Sequence, residues 1–169
     1  MEQKTEARKL ISVSDTSIDG TTAFSALQST GQTSSHGAEI LFLGVVRDIN
    51  LGRAVTAVAY DAFAPLAEKI LETIADEAKA KWGDLQIAIF HRTGKLAVGE
   101  VSLAIAVSSR HRDESYLASR YVIEEIKARA PIWKKEFYTD GESEWLKGHA
   151  LCQQGKTHSD SPLLSSVTD

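Results

Sequence analysis

Cysteine is nearly absent from this chain of 169 residues. The single Cys152 excludes an intramolecular disulfide and a cysteine-rich metal site, and it lies in a polar stretch near the C-terminus. The five histidines lack the i,i+4 pairing and the spacing that zinc sites use. We therefore expect neither a metal site nor a cofactor in this protein.

Long apolar segments are also lacking. The longest run, from Ile40 to Val46, is far shorter than the roughly 20 residues of a membrane-spanning helix. The N-terminal residues 1–8 contain no apolar signal core, so we expect a cytoplasmic protein without membrane contact. The length predicts one domain. We place it at 17–148, between a polar lead-in at 1–16 and a disordered polar tail at 149–169.

The net charge of −4 is unevenly distributed along the chain. The segment from Arg110 to Lys135 contains seven Lys or Arg and four Asp or Glu, which makes it +3 and the remainder −7. A cationic spot on an otherwise anionic protein suits a small anion such as a phosphate. It does not suit a long nucleic acid, which needs an extended basic face, so we expect no nucleic-acid partner.

Apolar periodicity predicts an α+β protein. We expect a short helix over 19–28 and two long helices, one over 65–82 and one that Asp113 caps and that ends before Pro131. Alternating or continuous apolar segments predict strands at 37–47, 54–60, 85–92, 101–109 and 132–139, with a short element at 144–147. The strands outnumber the helices that could serve as crossovers, which favours a mostly antiparallel sheet.

Two lysines lie on either side of Pro131. A proline cannot continue a helix, so Lys127 belongs to the last helical turn and Lys134 to the segment that follows. Amines that converge from two elements can form a site, and a neutral amine can act as a nucleophile or a base. The alternative is a Lys127 that extends along the surface and pairs with Glu124. The periodicity alone leaves both readings open.

Two further segments carry candidate anion ligands. Ser109 to Asp113 joins a strand to a helix N-terminus, where backbone N–H groups favour anions and where His111 and Arg112 add donors. Gly44 to Arg47 ends a buried strand in an arginine. The alternative for each is an ordinary surface position: a helix start with solvated charges, and an exposed strand end.

Taken together, five segments in order resemble the large, catalytic subunit of molybdopterin synthase. The resemblance runs from about Asp19 to Lys147. The segments that carry it are Gly37–Arg47, His91–Gly94, Gly99–Glu100, Ser109–Arg112 and Lys127–Glu136. The resemblance implies an α/β-hammerhead fold and a sulfurtransferase. Such enzymes convert cyclic pyranopterin monophosphate into molybdopterin, in molybdenum cofactor biosynthesis.

The same resemblance implies partners and site residues. The sulfur would arrive as a thiocarboxylate on the C-terminal Gly-Gly of a small ubiquitin-like subunit, and the large subunits would form the homodimeric core of a heterotetramer. Lys127 and Lys134 are the implied catalytic pair, Lys127 for the thiocarboxylate and Lys134 for substrate charge and proton transfer. The implied substrate-binding residues are Val45, Val46, Arg47, His111, Arg112, Lys127, Lys134, Lys135 and Glu136.

Two readings of a different class stay open on the sequence. One is a non-enzymatic regulatory module that binds a phosphate or a pterin. The other is an interaction scaffold that works through apolar strand faces rather than cations. The acidic remainder of the chain and the paired lysines around Pro131 count against the regulatory module.

Overall fold

The computed structural model describes residues 9–30 and 33–147. Cys152 and the predicted tail at 149–169 lie outside this range. The described residues form ten strands and three α-helices. The strands are β1 (Ile11–Ser14), β2 (Ala38–Val45), β3 (Ile49–Asn50), β4 (Arg53–Ala62), β5 (Leu85–Arg92), β6 (Gly94–Ala97), β7 (Val101–Ser109), β8 (Ile132–Tyr138), β9 (Gly141–Glu142) and β10 (Leu146–Lys147). The helices are α1 (Thr22–Gln28), α2 (Ala64–Trp82) and α3 (Arg112–Arg129).

The first sheet has the order β1-β5-β7-β2 and is covered by helices on both faces. Strand β7 is buried along nearly its whole length, as expected for a central strand between two layers. Its large residues, including Ile105 and Val107, pack on α2 and α3. Its alanines, Ala104 and Ala106, lie on the other face, where they let α1 approach through Leu27.

The second sheet carries the order β10-β8-β4-β3, with β6 paired to β4 and β9 paired to β8. All of its pairings are antiparallel, and in the first sheet only the β1–β5 pairing is parallel. This confirms the predicted α+β class with mostly antiparallel strands and two long helices. None of the helices in the described residues is long and apolar enough to cross a membrane.

Two details differ from the sequence expectation. The predicted polar lead-in at 1–16 contains a strand, because β1 pairs in parallel with β5 and the Val13 N–H donates to Glu68 of α2 at 2.9 Å. Asp113 does not cap α3: the capping position is His111, which makes no side-chain capping bond. Asp113 lies in the first helical turn, where a carboxylate still interacts favourably with the helix dipole.

The penultimate residue of strand β5 is a buried histidine. His91 continues the inward face of Ile87 and Ile89 and is 7% exposed. Its Nδ1 lies 3.0 Å from the Arg92 carbonyl, which can only accept, so Nδ1 carries the proton and Nε2 keeps a lone pair. The Tyr60 ring packs edge-on at 5.1 Å. Burial lowers the pKa of His91 from 6.5 to about 4, although the bond to the Arg92 carbonyl opposes this.

His91 should make the fold sensitive to acid. In the unfolded chain the histidine binds a proton below about pH 6.5, whereas in the folded chain it does so only near pH 4. The contribution of His91 to the free energy of unfolding is therefore fully present above pH 6.5. It is lost as the pH falls towards 4, and the loss amounts to about 3 kcal/mol. Urea unfolding at pH 7 and pH 4 should show this fall in the wild type and a smaller fall in His91→Gln.

The control is His111→Gln, because His111 is exposed at the start of α3. It should keep the wild-type fall between the two pH values. An equal fall in wild type and His91→Gln would contradict the assignment of this acid sensitivity to His91.

Candidate functional site

The site begins where α3 ends. Ala130 has extended backbone angles, φ −65° and ψ 132°, as expected for the residue before a proline. The chain then enters β8 at Ile132, which pairs with Ala62 of β4. Lys127 therefore lies in the last turn of the helix and Lys134 on the strand, as the sequence predicted.

Both lysines line one cavity of about 660 Å³. This volume lies in the range of small-molecule sites. The apolar wall comes mainly from β2, β7, α3 and the start of β8 and consists chiefly of Phe42, Leu103, Ile123, Ile126, Ala130 and Ile132. The polar lining consists of Arg47, Asn50, Tyr60, His91, Ser102, Lys127 and Lys134. Among the described residues, three cations and no carboxylate line the cavity, so its charge suits an anion.

The alternation of β8 decides which of its charged residues reach the cavity. Lys134 is two residues after Ile132, so both side chains lie on the cavity side of the strand. Lys135 lies on the opposite face, pairs with Glu142 at 2.6 Å and lines no cavity described here. Glu136 returns to the side of Lys134 and lines a smaller cavity of about 40 Å³.

Glu136 is the buried anchor of the site and is 3% exposed. It forms an ion pair with Lys134 and accepts hydrogen bonds from the Tyr138 hydroxyl and from Asn50 Nδ2, the latter at 2.7 Å. Burial raises the pKa of its carboxyl, but the bonds from Lys134 and Tyr138 outweigh burial, so the pKa lies below its ordinary value. The carboxylate thus stays charged and fixes the Lys134 amine.

Asn50 connects this anchor to the predicted arginine. Its Oδ1 accepts a bond from Arg47 Nη2 at 3.3 Å, while its Nδ2 binds Glu136. Arg47 is exposed and lines both cavities. Val45, which is 47% exposed, also lines both, whereas Val46 is buried and lines only the smaller one. The segment from Val45 to Arg47 therefore borders the two cavities, and its role in binding substrate stays a prediction.

Lys127 differs from Lys134 in its surroundings. It is exposed and makes no ion pair with Glu124 or with any other residue in the described part of the chain. This removes the reading of Lys127 as half of a surface pair. Its amine is available at the cavity, whereas that of Lys134 is already held by Glu136.

His111 and Arg112 do not reach this cavity. They lie at the opposite end of α3 from Lys127, at a distance of about 22–24 Å along the helix axis. Both are exposed, and the Arg112 side chain is 82% exposed with a weak contact to Asp113 at 3.8 Å. Neither lines the larger or the smaller cavity. The predicted set of anion ligands is therefore divided between two ends of one helix.

The sequence predicts no site role for Asn50, Tyr60 or His91, although His91 lies in a segment that carries the family resemblance. The periodicity of β5 was the available signal for His91, because the residue continues the inward face of the strand. Arg92, on the outward face, instead binds Glu100 at 2.7 Å and so links the ends of β5 and β7. No local pattern identifies Asn50 as more than a turn residue, because its partner Glu136 is 86 residues away in the chain.

Comparisons with known proteins identify the family of this chain. The family model described as MoaE protein matches residues 13–129. The molybdopterin synthase catalytic subunit of Synechococcus elongatus is 46% identical over 123 residues, which are 72% of this chain and 74% of that protein.

Solved structures give the same result. The molybdopterin synthase of Staphylococcus aureus has a TM-score of 0.75 and 35% identity, over 82% of this chain and 98% of that one. A complex of subunits 1 and 2 of the molybdopterin-converting factor of Helicobacter pylori matches with a TM-score of 0.65 over 79% of this chain and 88% of that one, and its 20% identity supports the fold alone. The chain belongs to the MoaE family, whose members include molybdopterin synthase catalytic subunits.

Proposed function

We propose that this protein transfers sulfur from the thiocarboxylated C-terminus of a small ubiquitin-like subunit to cyclic pyranopterin monophosphate, which forms the dithiolene of molybdopterin. The observation that carries the proposal is the cavity in which Arg47, Lys127 and Lys134 converge without a carboxylate in the lining. Both ligands are anionic, the donor through its thiocarboxylate and the acceptor through its phosphate. A cationic, partly apolar cavity suits them.

The sulfur must come from another molecule. The only cysteine of the chain is Cys152, and the described residues contain none. A partner that carries a thiocarboxylate would supply the missing atom.

We assign the two lysines different roles because their surroundings differ. Lys127 is exposed and unpaired within the described residues, so its ammonium can meet the incoming thiocarboxylate and orient it. Lys134 is held by the buried Glu136 and lies beside Arg47 in the cavity lining, which suits a fixed positive charge for the substrate. Moving Lys134 to bring a proton to the substrate would require breaking the ion pair with Glu136.

His111 and Arg112 can serve the same reaction only from a second copy of the chain. Within one copy they are about 22–24 Å from Lys127 along α3. In a twofold dimer both subunits contribute the same surface, so every contact occurs twice. Such a dimer can place the start of each α3 beside the cavity of the other subunit. We therefore propose that each active site takes its lysines from one subunit and His111 and Arg112 from the other.

Replacing Lys127 by alanine should remove most of the activity. Loss of a cation that holds a developing or bound negative charge costs on the order of 10²-fold in rate. The assay combines the thiocarboxylated small subunit with cyclic pyranopterin monophosphate and measures molybdopterin. The control is Lys69→Ala, an exposed lysine of α2 outside the cavity, which should convert substrate at the wild-type rate.

Two outcomes would contradict the proposal in different ways. Wild-type conversion by Lys127→Ala would remove Lys127 from the mechanism. Absence of product with the wild type, under conditions in which another synthase makes it, would overturn the proposed reaction itself.

Mixed dimers test the division of the site between subunits. Lys127→Ala and Arg112→Ala chains are coexpressed with different tags, and the heterodimers are isolated. One site of each heterodimer then carries both substitutions and the other carries neither, so we expect about half of the wild-type rate per dimer although each homodimer is nearly inactive. Heterodimers as inactive as the homodimers would show that both residues act from the same chain.

A further inference from the structure

A strained leucine lies at the edge of the cavity. Strands β3 and β4 pair through Asn50 and Arg53, which leaves Leu51 and Gly52 as a two-residue turn. Both have left-handed backbone angles, φ 50° for Leu51 and φ 76° for Gly52, as a type I′ turn requires. Leu51 is the only non-glycine residue with positive φ in the described part of the chain.

Within the part of the chain that the structure describes, neither conformation nor burial favours leucine at this position. A left-handed conformation is unfavourable for a side chain branched like leucine, and type I′ turns prefer asparagine or glycine there. Burial does not compensate, because the Leu51 side chain is 70% exposed. A residue that is unfavourable in both conformation and solvation is expected to gain its contact from a ligand.

The turn is also held firmly in place. Asn50 binds Glu136 at 2.7 Å on one side of it. On the other side Arg53 makes two bonds to Asp140, at 2.6 and 3.2 Å, and lies 3.6 Å above the Tyr138 ring. Side-chain contacts on both sides of the turn therefore hold Leu51 in its left-handed conformation.

Leu51 lines the larger cavity together with Arg47 and Asn50. We propose that Leu51 is a specificity-determining residue that packs against the apolar face of the pterin ring while Arg47 and the lysines hold the charged groups. The inference rests on the proposed function. We assign the contact to the small molecule because Leu51 borders a cavity of about 660 Å³, a volume suited to such a ligand, beside the cations that would hold its phosphate.

The experiment uses Leu51→Asn, which keeps the branched shape of the side chain, removes its apolar character and suits the turn. It should raise the melting temperature by about 2–4 °C, because the strain is relieved. With saturating thiocarboxylated partner it should raise the KM for cyclic pyranopterin monophosphate about tenfold, and calorimetry without turnover should show a matching loss of affinity. The Kd for the small subunit should stay at the wild-type value.

Two further variants test whether the effect depends on an apolar side chain and on its position at the cavity. Leu51→Met keeps an apolar side chain in the same strained turn and should restore the KM to within about threefold of wild type. Val98→Ala removes another exposed apolar side chain, 41% exposed, from a turn that lines neither cavity, and should leave the KM unchanged.

The outcomes are distinct. An unchanged KM in an active Leu51→Asn enzyme would overturn the inference and leave the proposed function intact. A weaker Kd for the small subunit, or a loss of dimer, with an unchanged KM would assign Leu51 to a protein interface instead and would also overturn it. No turnover by the wild type would overturn the proposed function and this inference together.

Discussion

The geometry of the site depends on the end of helix α3 at Pro131. An uninterrupted helix would place Lys127 and Lys134 about 10.5 Å apart along a single axis. Because the proline forces Ala130 into an extended conformation, the chain leaves the helix and enters strand β8. The apolar residues on both sides of this bend, Ile126 and Ile132, are buried and form part of the cavity wall. One backbone constraint thus directs both amines into the same space.

The buried Glu136 then makes the two lysines unequal. A carboxylate inside the fold must be paired, and Lys134, Tyr138 and Asn50 together satisfy it. The amine of Lys134 is consequently fixed, whereas Lys127 keeps its freedom at the cavity. An enzyme that must hold one anionic ligand and receive another needs this difference. Under the proposed function, the fixed Lys134 would face the small substrate and the unpaired Lys127 would receive the partner's terminus.

The sequence was sufficient to predict the structure wherever the local backbone determines it. Pro131 ends a helix in any context, and the strand after it followed from the apolar pattern. The alternation of β8 also explains why Lys135 lies on the far face of the strand. The family resemblance had implied that Lys135 binds substrate. The positions of His111 and Arg112 depend on the length of α3 and on assembly, which no local pattern contains. The partnership of Asn50 with Glu136 requires the tertiary structure.

Three unfavourable features of the described structure lie at the two cavities. His91 is buried without charge, the Glu136 carboxylate is buried with charge, and Leu51 has a left-handed backbone. Elsewhere the apolar core clusters consist almost entirely of Ala, Val, Leu and Ile, and the buried Ser109 and Ser115 bind each other. Natural sequences keep such local costs where function requires them. Their position at the space between α3, β8 and the β3–β4 hairpin supports the proposed site without relying on the family resemblance. It also explains why these residues are not those that stability alone would select.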